Sequence, residues 1–372
     1  MAKPDSDLLK TPLYDLAAVA KARFVPFSGW SMPVQFSGLK QEHQAVRSRV
    51  GMFDISHMGK FALKGKDILA GLQALVPSNL ERLSLGEAQY TVLLNEQGGI
   101  IDDIIFYHQG PERGFLIVNA ATKDKDKQWI LSQIQNMDLE LEDLSSDRVL
   151  LALQGREAVT ILQALVADNI ADMPAFGHLE TTLKIANNGK GEPAFIARTG
   201  YTGEDGFEIM VTPDVGQQLW QTFLDQDVVP CGLGSRDTLR LEAAMCLYGQ
   251  DIDDITTPLE AGLGWLVHLQ EKDNFIGREV LEKQKADGLA RRLVGIEMAG
   301  RYIARHDYPI ISEGVEIGIV TSGTLSPTLG KAIALGYVPK SFSKVGQELE
   351  VLIRGKTYPA KIVKKPFYRR SS

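Results

Sequence analysis

The chain has 372 residues, 44% of them hydrophobic, and carries a formal charge of −7. That is enough apolar material for roughly two or three domains, and the acidic balance argues against broad nucleic-acid binding, which needs a basic face to displace counterions from phosphates. Cys231 and Cys246 stand alone, outside any C-x-x-C pattern, so neither a disulfide framework nor a metal site is indicated.

Residues 1–10 are polar, with Pro4, Asp5 and Asp7, unlike a secretory signal, and no apolar span reaches membrane length; a cytoplasmic protein without membrane contact is expected. Apolar residues at helical spacing predict helices over 13–22 and 38–50, the second ending near Gly51. The intervening Phe27-Ser28-Gly29-Trp30-Ser31-Met32-Pro33 reads as a loop whose large side chains either wall a pocket or plug a core. Gly51-Met52-Phe53-Asp54-Ile55-Ser56-His57-Met58-Gly59 leads into a strand over 60–64 and a helix over 66–76. His57 has no partner at metal-ligand spacing and is read as a structural histidine.

A strand over 88–95 is followed by the Gly98-Gly99 turn and a second strand, Ile-rich and free of proline, that contains Asp102 and Asp103. Alternation puts Asp103 with Ile101, Ile105 and Tyr107, and Asp102 with Ile100, Ile104 and Phe106. Neither face is polar. At least one carboxylate therefore enters apolar surroundings or a cleft, where ionisation is expensive unless a ligand or protein group pairs with it. An edge strand with an inward charge, or a bulge turning both acids to solvent, also accounts for the pair. A strand over 115–118 closes on Asn119 before a helix over 122–135. In an antiparallel sheet of this order Tyr90, Asp103 and Asn119 occupy adjacent strands or their ends, as a site or as structural supports.

Beyond residue 148 strands (149–153, 182–185, 194–198) mix with a helix over 156–166, an α+β pattern. The glycines of Arg198-Thr199-Gly200-Tyr201-Thr202-Gly203-Glu204-Asp205-Gly206-Phe207-Glu208 allow close backbone approach or simply a hairpin loop. Glu208 is again an acid inside an apolar strand, over 207–211. A carboxylate can accept two parallel N–H bonds, from an aminopyrimidinone edge or from an arginine fork. Gly232-Leu233-Gly234-Ser235-Arg236-Asp237 opens a helix running to about 247, with Ser235 as its expected N-cap. It lacks the third glycine and the β-α-β setting of a dinucleotide site. Weaker hydrophobic patterning at 283–288 marks the last boundary, and residues 291–365 read as an all-β domain. Its end carries Lys356, Lys361, Lys364, Lys365, Arg369 and Arg370 with no acid, either a docking patch for an acidic partner or a solvated edge.

Taken in order, the blocks 27–33, 51–58, 98–103, 198–208 and 232–237, with Tyr248-Gly249-Gln250-Asp251, Thr321-Ser322-Gly323-Thr324-Leu325-Ser326-Pro327 and Lys365-Pro366-Phe367-Tyr368-Arg369, resemble the aminomethyltransferase, or T-protein, family of the glycine cleavage system over nearly the whole chain. The resemblance implies an α+β fold: a three-domain cloverleaf around a central tetrahydrofolate site. Its parts would be residues 1–58 with 148–282 as a discontinuous folate-binding domain, an inserted antiparallel domain at 59–147 carrying the catalytic strand, and a C-terminal β-barrel at 283–372. It implies Asp103 as the catalytic acid and Glu208 and Arg236 as the residues holding the pterin. Met58, Tyr90, Asn119 and Tyr201 match the pocket, and Arg369 is a weaker match. The implied partner is a lipoylated carrier, H-protein, which presents an aminomethyl group on sulfur; folate accepts the carbon as ammonia departs, with no metal. Positive charge then builds near the methylene, and a carboxylate held in an apolar wall suits it. Folate-dependent demethylases share the implied fold. So does a non-catalytic folate-binding protein of iron–sulfur assembly, whose K-G-C-Y-x-G-Q motif is not matched here, because Cys246 and Tyr248-Gly249-Gln250 fall out of that order.

Overall fold

Runs dense in Val, Ile and Leu form three of the four sheets in the computed structural model, which describes residues 7–185 and 191–370; the polar segment 1–6 lies outside the described residues. A six-stranded sheet has the order His178–Leu183, Glu192–Ala197, Gly206–Val211, Val149–Gln154, Gly51–Asp54, Val229–Pro230, antiparallel except for its last, parallel pair. A five-stranded sheet has the order Ala88–Leu94, Ile100–Gly110, Arg113–Val118, Gly59–Lys64, Glu140–Asp143. The third is a closed barrel, in which Arg291–Met298, Ala332–Pro339, Val315–Leu325, Pro309–Ser312, Glu348–Ile353 and Lys356–Val363 follow one another and the last pairs with the first. Closure removes the exposed edges that an open all-β domain must otherwise protect.

The chain divides into two compact units: Met1–Ile68 with Leu83–Gln89 and Ile105–Asp237, and Leu69–Arg82 with Tyr90–Ile104 and Thr238–Ser372. In the first, the helices Ala158–Gln163 and Pro213–Leu224 cover the six-stranded sheet over a core that includes Leu151, Leu153, Phe207, Ile209, Leu219 and Trp220. In the second, the barrel encloses Ile296, Ile310, Val320, Ala334 and Val351, and a separate core gathers Val92, Leu94, Ile100, Leu266 and Leu281.

The predicted helices form with trimmed ends, as Tyr14–Val19, Leu39–Ser48, Ile68–Leu75, Lys123–Gln133 and Ala158–Gln163. Two readings are corrected here. The aromatic loop is a hairpin, Arg23–Phe27 paired with Trp30–Gln35, turned by Ser28 and Gly29, both at positive φ (48° and 82°), as a tight two-residue hairpin turn demands. The helix from Leu233 ends at Glu242 and not near 247, two residues before Ala244 takes φ 55°. Residues 283–287, where the hydrophobic patterning weakens, complete the helix Arg278–Asp287, which stops at Gly288 (φ 89°).

Ser235 is not the cap of its helix either, since it lies inside it. The cap is Glu42, a fully buried carboxylate from the helix Leu39–Ser48. Its Oε2 accepts from Gly232 N at 2.9 Å and from Ser235 Oγ at 3.2 Å, while Oε1 accepts from Phe36 N at 2.7 Å and Gly38 N at 3.0 Å. One side chain thus satisfies orphan amides at the start of two helices. Glu42→Ala leaves these donors enclosed without an acceptor, and is expected to destabilise the first unit by at least about 3 kcal/mol. A urea titration following Trp220 fluorescence measures it; an unchanged midpoint would remove Glu42 from this role.

Candidate active site

The strand Ile100–Gly110 lies inside its sheet, between Ala88–Leu94 and Arg113–Val118, and against the latter its register shifts near its end, at His108–Gly110. An edge strand therefore does not account for the two acids, and the burial of Asp102 rules out a bulge that turns both to solvent. Asp102 is fully buried, whereas Asp103, on the other face, is half-buried and reachable. The Tyr90 hydroxyl donates to Asp103 Oδ2 at 3.0 Å, and the Tyr90 ring stacks on Trp265 with centroids 6.1 Å apart. Trp265 is 59% exposed, which is unusual for an indole and leaves an open aromatic face beside the acid's partner.

The start of this strand is pinned from the same unit. Ile100 N donates to the carbonyls of Asp253 and Thr256, Tyr248 OH donates within 3.2 Å of Ile100 O, and Asn95 Nδ2 reaches Asp254 O at 2.8 Å. Gly99 permits this approach, because a Cβ there would stand 1.8 Å from Asp254 O. Cys246 is buried in the same unit. Burial first, then Asp251 and, more weakly, Asp103, push its thiol up to about 12, so it supplies no thiolate near neutrality.

The other acid, Glu208, is interior to the six-stranded sheet and 7% exposed. Directly opposite it on the flanking strands are Ala152 and Ala197, whose short side chains leave room for the carboxylate. Thr199 Oγ1 donates to Glu208 Oε2 at 2.6 Å and lies 3.4 Å from Tyr107 OH. Since the threonine proton is committed to the carboxylate, the tyrosine donates to Thr199. Burial, and then the Glu208 charge, hold the Tyr107 phenol well above its ordinary pKa. Both readings of the 198–208 glycines hold in part. Gly203 takes φ 77°, while a Cβ on Gly200 or Gly206 would run into Gln154. Gln154 is buried and ties the loop, donating to Thr199 O at 3.0 Å and accepting from Thr202 Oγ1 at 2.8 Å.

Arg236 lies over the Tyr201 ring at 4.7 Å in the same unit, with Glu208 close enough to support its charge against burial. Its NH1 is enclosed and has no hydrogen-bond partner among the described residues. His57 is close by. It is 4% exposed, packs edge-on against Phe27 with centroids 5.6 Å apart, and is lowered to a pKa of about 3 by burial and then by the Arg236 and Lys60 charges. Lys60 is buried, donating to Ser56 O at 2.7 Å and Met58 O at 2.8 Å, so it clamps the carbonyls on both sides of His57. Burial lowers this ammonium to about 8, opposed by Asp54.

The first unit thus brings together Tyr201, Glu208 and Arg236, with Met58 half-buried just before Gly59, whose strand partner is Val118, the residue preceding Asn119. In the second unit Tyr90 and Asp103 are joined, and Arg369 is exposed, next to Tyr368, whose N–H donates to Glu242 O. The basic C-terminal run is not uniformly free. Lys361 lies 3.4 Å from Glu297, and burial lowers the half-buried Lys365 ammonium. Sequence reasoning missed Thr199, Gln154 and Lys60, whose partners are set by folding; Tyr107 was visible as a residue on the Asp103 face. No helix among the described residues is long and apolar enough to cross a membrane, and no cluster of three metal-ligating side chains occurs among them.

Two family models match in sequence, the GCVT N-terminal domain over residues 13–271 and the glycine cleavage T-protein C-terminal barrel domain over residues 291–369. The chain belongs to the glycine cleavage T-protein family. It is 66% identical to the aminomethyltransferase of Synechocystis sp., covering 97% of this chain and 96% of that protein, and 62% identical to that of Rippkaea orientalis over 98% of each. The crystal structure of glycine cleavage system aminomethyltransferase T from Bartonella henselae matches with a TM-score of 0.90 at 34% identity, over 97% of this chain and 98% of that one. The α+β fold with a C-terminal barrel is therefore that of the T-proteins, and the chain is a transferase.

Burial of a neutral imidazole beside two cations makes this T-protein sensitive to acid. The folded pKa of His57 is about 3 against 6.5 for the free side chain, so the unfolded chain binds the proton first. The His57 contribution is then complete above pH 6.5 and is lost progressively as pH falls toward 3. His57→Phe is expected to flatten the fall in unfolding temperature between pH 6.5 and 4 relative to the wild type; parallel curves would place the charging elsewhere.

Proposed function

We propose that this T-protein is a cytoplasmic, tetrahydrofolate-dependent aminomethyltransferase that takes its one-carbon unit from a lipoylated H-protein. In the transfer, N5 and N10 of folate both bond to the methylene carbon, its bonds to nitrogen and sulfur break, and the two folate protons leave on ammonia and on the dihydrolipoyl thiol. The products are 5,10-methylenetetrahydrofolate and reduced carrier. The observation that carries the reading is the contrast within one strand, where Asp102 is sealed away and Asp103 is half-buried and oriented by Tyr90. A carboxylate fixed in that way stabilises the iminium-like charge that develops as ammonia departs, without waiting for water to reorganise. Glu208 would receive the aminopyrimidine N–H groups and Arg236 would donate to a pterin acceptor. Met58, Tyr201 and Asn119 would line the same pocket. The three-domain division expected from the family is supported by the six-stranded sheet falling within 1–58 and 148–282, the five-stranded sheet within 59–147 and the barrel within 283–372.

The deciding assay mixes purified chain, tetrahydrofolate and aminomethylated carrier and follows ammonia release. Asp103→Asn is expected to reduce turnover at least ~100-fold with folate binding kept, the scale for removing an aimed electrostatic group. Asp102→Asn should lower stability more than turnover, and equal loss of turnover in both variants would sink the assignment. Glu208→Gln replaces an acceptor by an amide that presents its own donor, and should weaken folate binding by roughly 1.5–3 kcal/mol in a calorimetric titration. Unchanged affinity would return Glu208 to a structural role.

A further inference from the structure

Two enclosed polar atoms of the first unit lack partners among the described residues, His57 Nδ1 and Arg236 NH1, and the Arg236 charge acts on the imidazole. They are of opposite kind. The guanidinium can only donate. The imidazole is neutral, and an enclosed nitrogen without a partner is the less costly one to leave bare, so its proton sits on Nε2 and Nδ1 is an acceptor. Leaving either atom unsatisfied is unfavourable, and such atoms inside a rigid frame point to a group that arrives from outside.

The frame around His57 is unusually stiff. Lys60 holds the carbonyls of residues 56 and 58, Ser56 N donates to Asp54 Oδ1 at 2.9 Å, and Thr11 Oγ1 donates to Asp54 Oδ2 at 2.6 Å. Phe27 closes on the ring edge-on. Nothing in this arrangement uses the basicity of the imidazole. A ring serving only to fill space would be as well supplied by phenylalanine, without an enclosed lone pair.

We propose that His57 is a further ligand-binding residue of the pocket, its Nδ1 accepting a hydrogen bond from a ring N–H while Arg236 NH1 donates to the adjacent ring carbonyl. The pair then reads an N–H/C=O edge of a heterocycle, and in a reduced pterin the 4-oxo group is flanked by N–H on both sides. The inference rests on the folate reading above and adds His57 to it.

The test uses the full chain and tetrahydrofolate, with affinity from calorimetric titration and folding from thermal unfolding. His57→Phe keeps the ring shape and the contact with Phe27 but has no acceptor. His57→Asn loses the shape and can place an amide oxygen near the Nδ1 position. The expected order is wild type, then His57→Asn within about 3-fold, then His57→Phe weaker by about 10-fold, the size of one lost hydrogen bond. A space-filling role predicts the opposite order, so His57→Phe binding as well as or better than His57→Asn overturns the proposal. Failure of the wild type to bind tetrahydrofolate would overturn the folate reading, and this inference with it. Wild-type binding with an indifferent His57→Phe overturns this inference alone.

Discussion

The buried carboxylate of Glu42 is the constraint on which the placement of Arg236 and Tyr201 in the first unit depends. Four donors from two separate segments converge on its two oxygens, at distances between 2.7 and 3.2 Å. A carboxylate is the only side chain that can serve four donors and present none of its own. Its helix, Leu39–Ser48, works at both ends. Near its start Glu42 fixes the turn that launches Leu233–Glu242, and with it Arg236. Near its end Arg47 donates to Thr202 O at 2.8 Å and to Glu204 at 3.0 Å, fixing the loop that carries Thr199 and Tyr201. The cation–ring contact between Arg236 and Tyr201 is thus set by two anchors on one rigid rod.

The second unit solves a similar problem with a charge pair. Arg240 and Asp251 are both buried and 2.6 Å apart, and Asp251 also accepts from Thr321 Oγ1 at 2.5 Å and Ser322 Oγ at 2.9 Å. An enclosed ion pair stabilises little unless its remaining lone pairs and protons are used. Here Arg240 also reaches Met245 O and Ser322 Oγ. The network ties the barrel strand Val315–Leu325 to the segment after the helix, and Glu242 adds a second tie by accepting from Ser326 and Thr328. Tyr337 OH donates to Asp251 O at 2.8 Å. The loop after Asp251 is the one that pins Ile100 and so the strand of Asp103.

What could be read from the sequence was whatever breaks a local pattern. Two acids in an apolar strand and one more in Phe207-Glu208-Ile209 violate the alternation that governs strands, and each anomaly marks a candidate site residue of its own unit. Parity alone separated Asp102 from Asp103, though choosing between them needed the burial that the surrounding sheet creates. Glu42, Lys60 and Gln154 were silent because each is ordinary in its own segment: a glutamate in a helix, a lysine opening a strand, a glutamine ending one. Their partners lie up to 193 positions away, as between Ser235 and Glu42. Polar residues whose function is to satisfy distant backbone leave no periodic trace.

Lys60 also bears on the charge state of the groups around His57. Burial works against every ion there, and the outcome differs according to the partner each group has. Lys60 keeps two carbonyls and Asp54, and stays an ammonium up to about pH 8. The charges that act on His57 are both cationic, and with burial they lower it to about 3. The neutral imidazole therefore follows from enclosure beside two cationic side chains, the lysine that clamps the Ser56 and Met58 carbonyls and the arginine of the helix Leu233–Glu242.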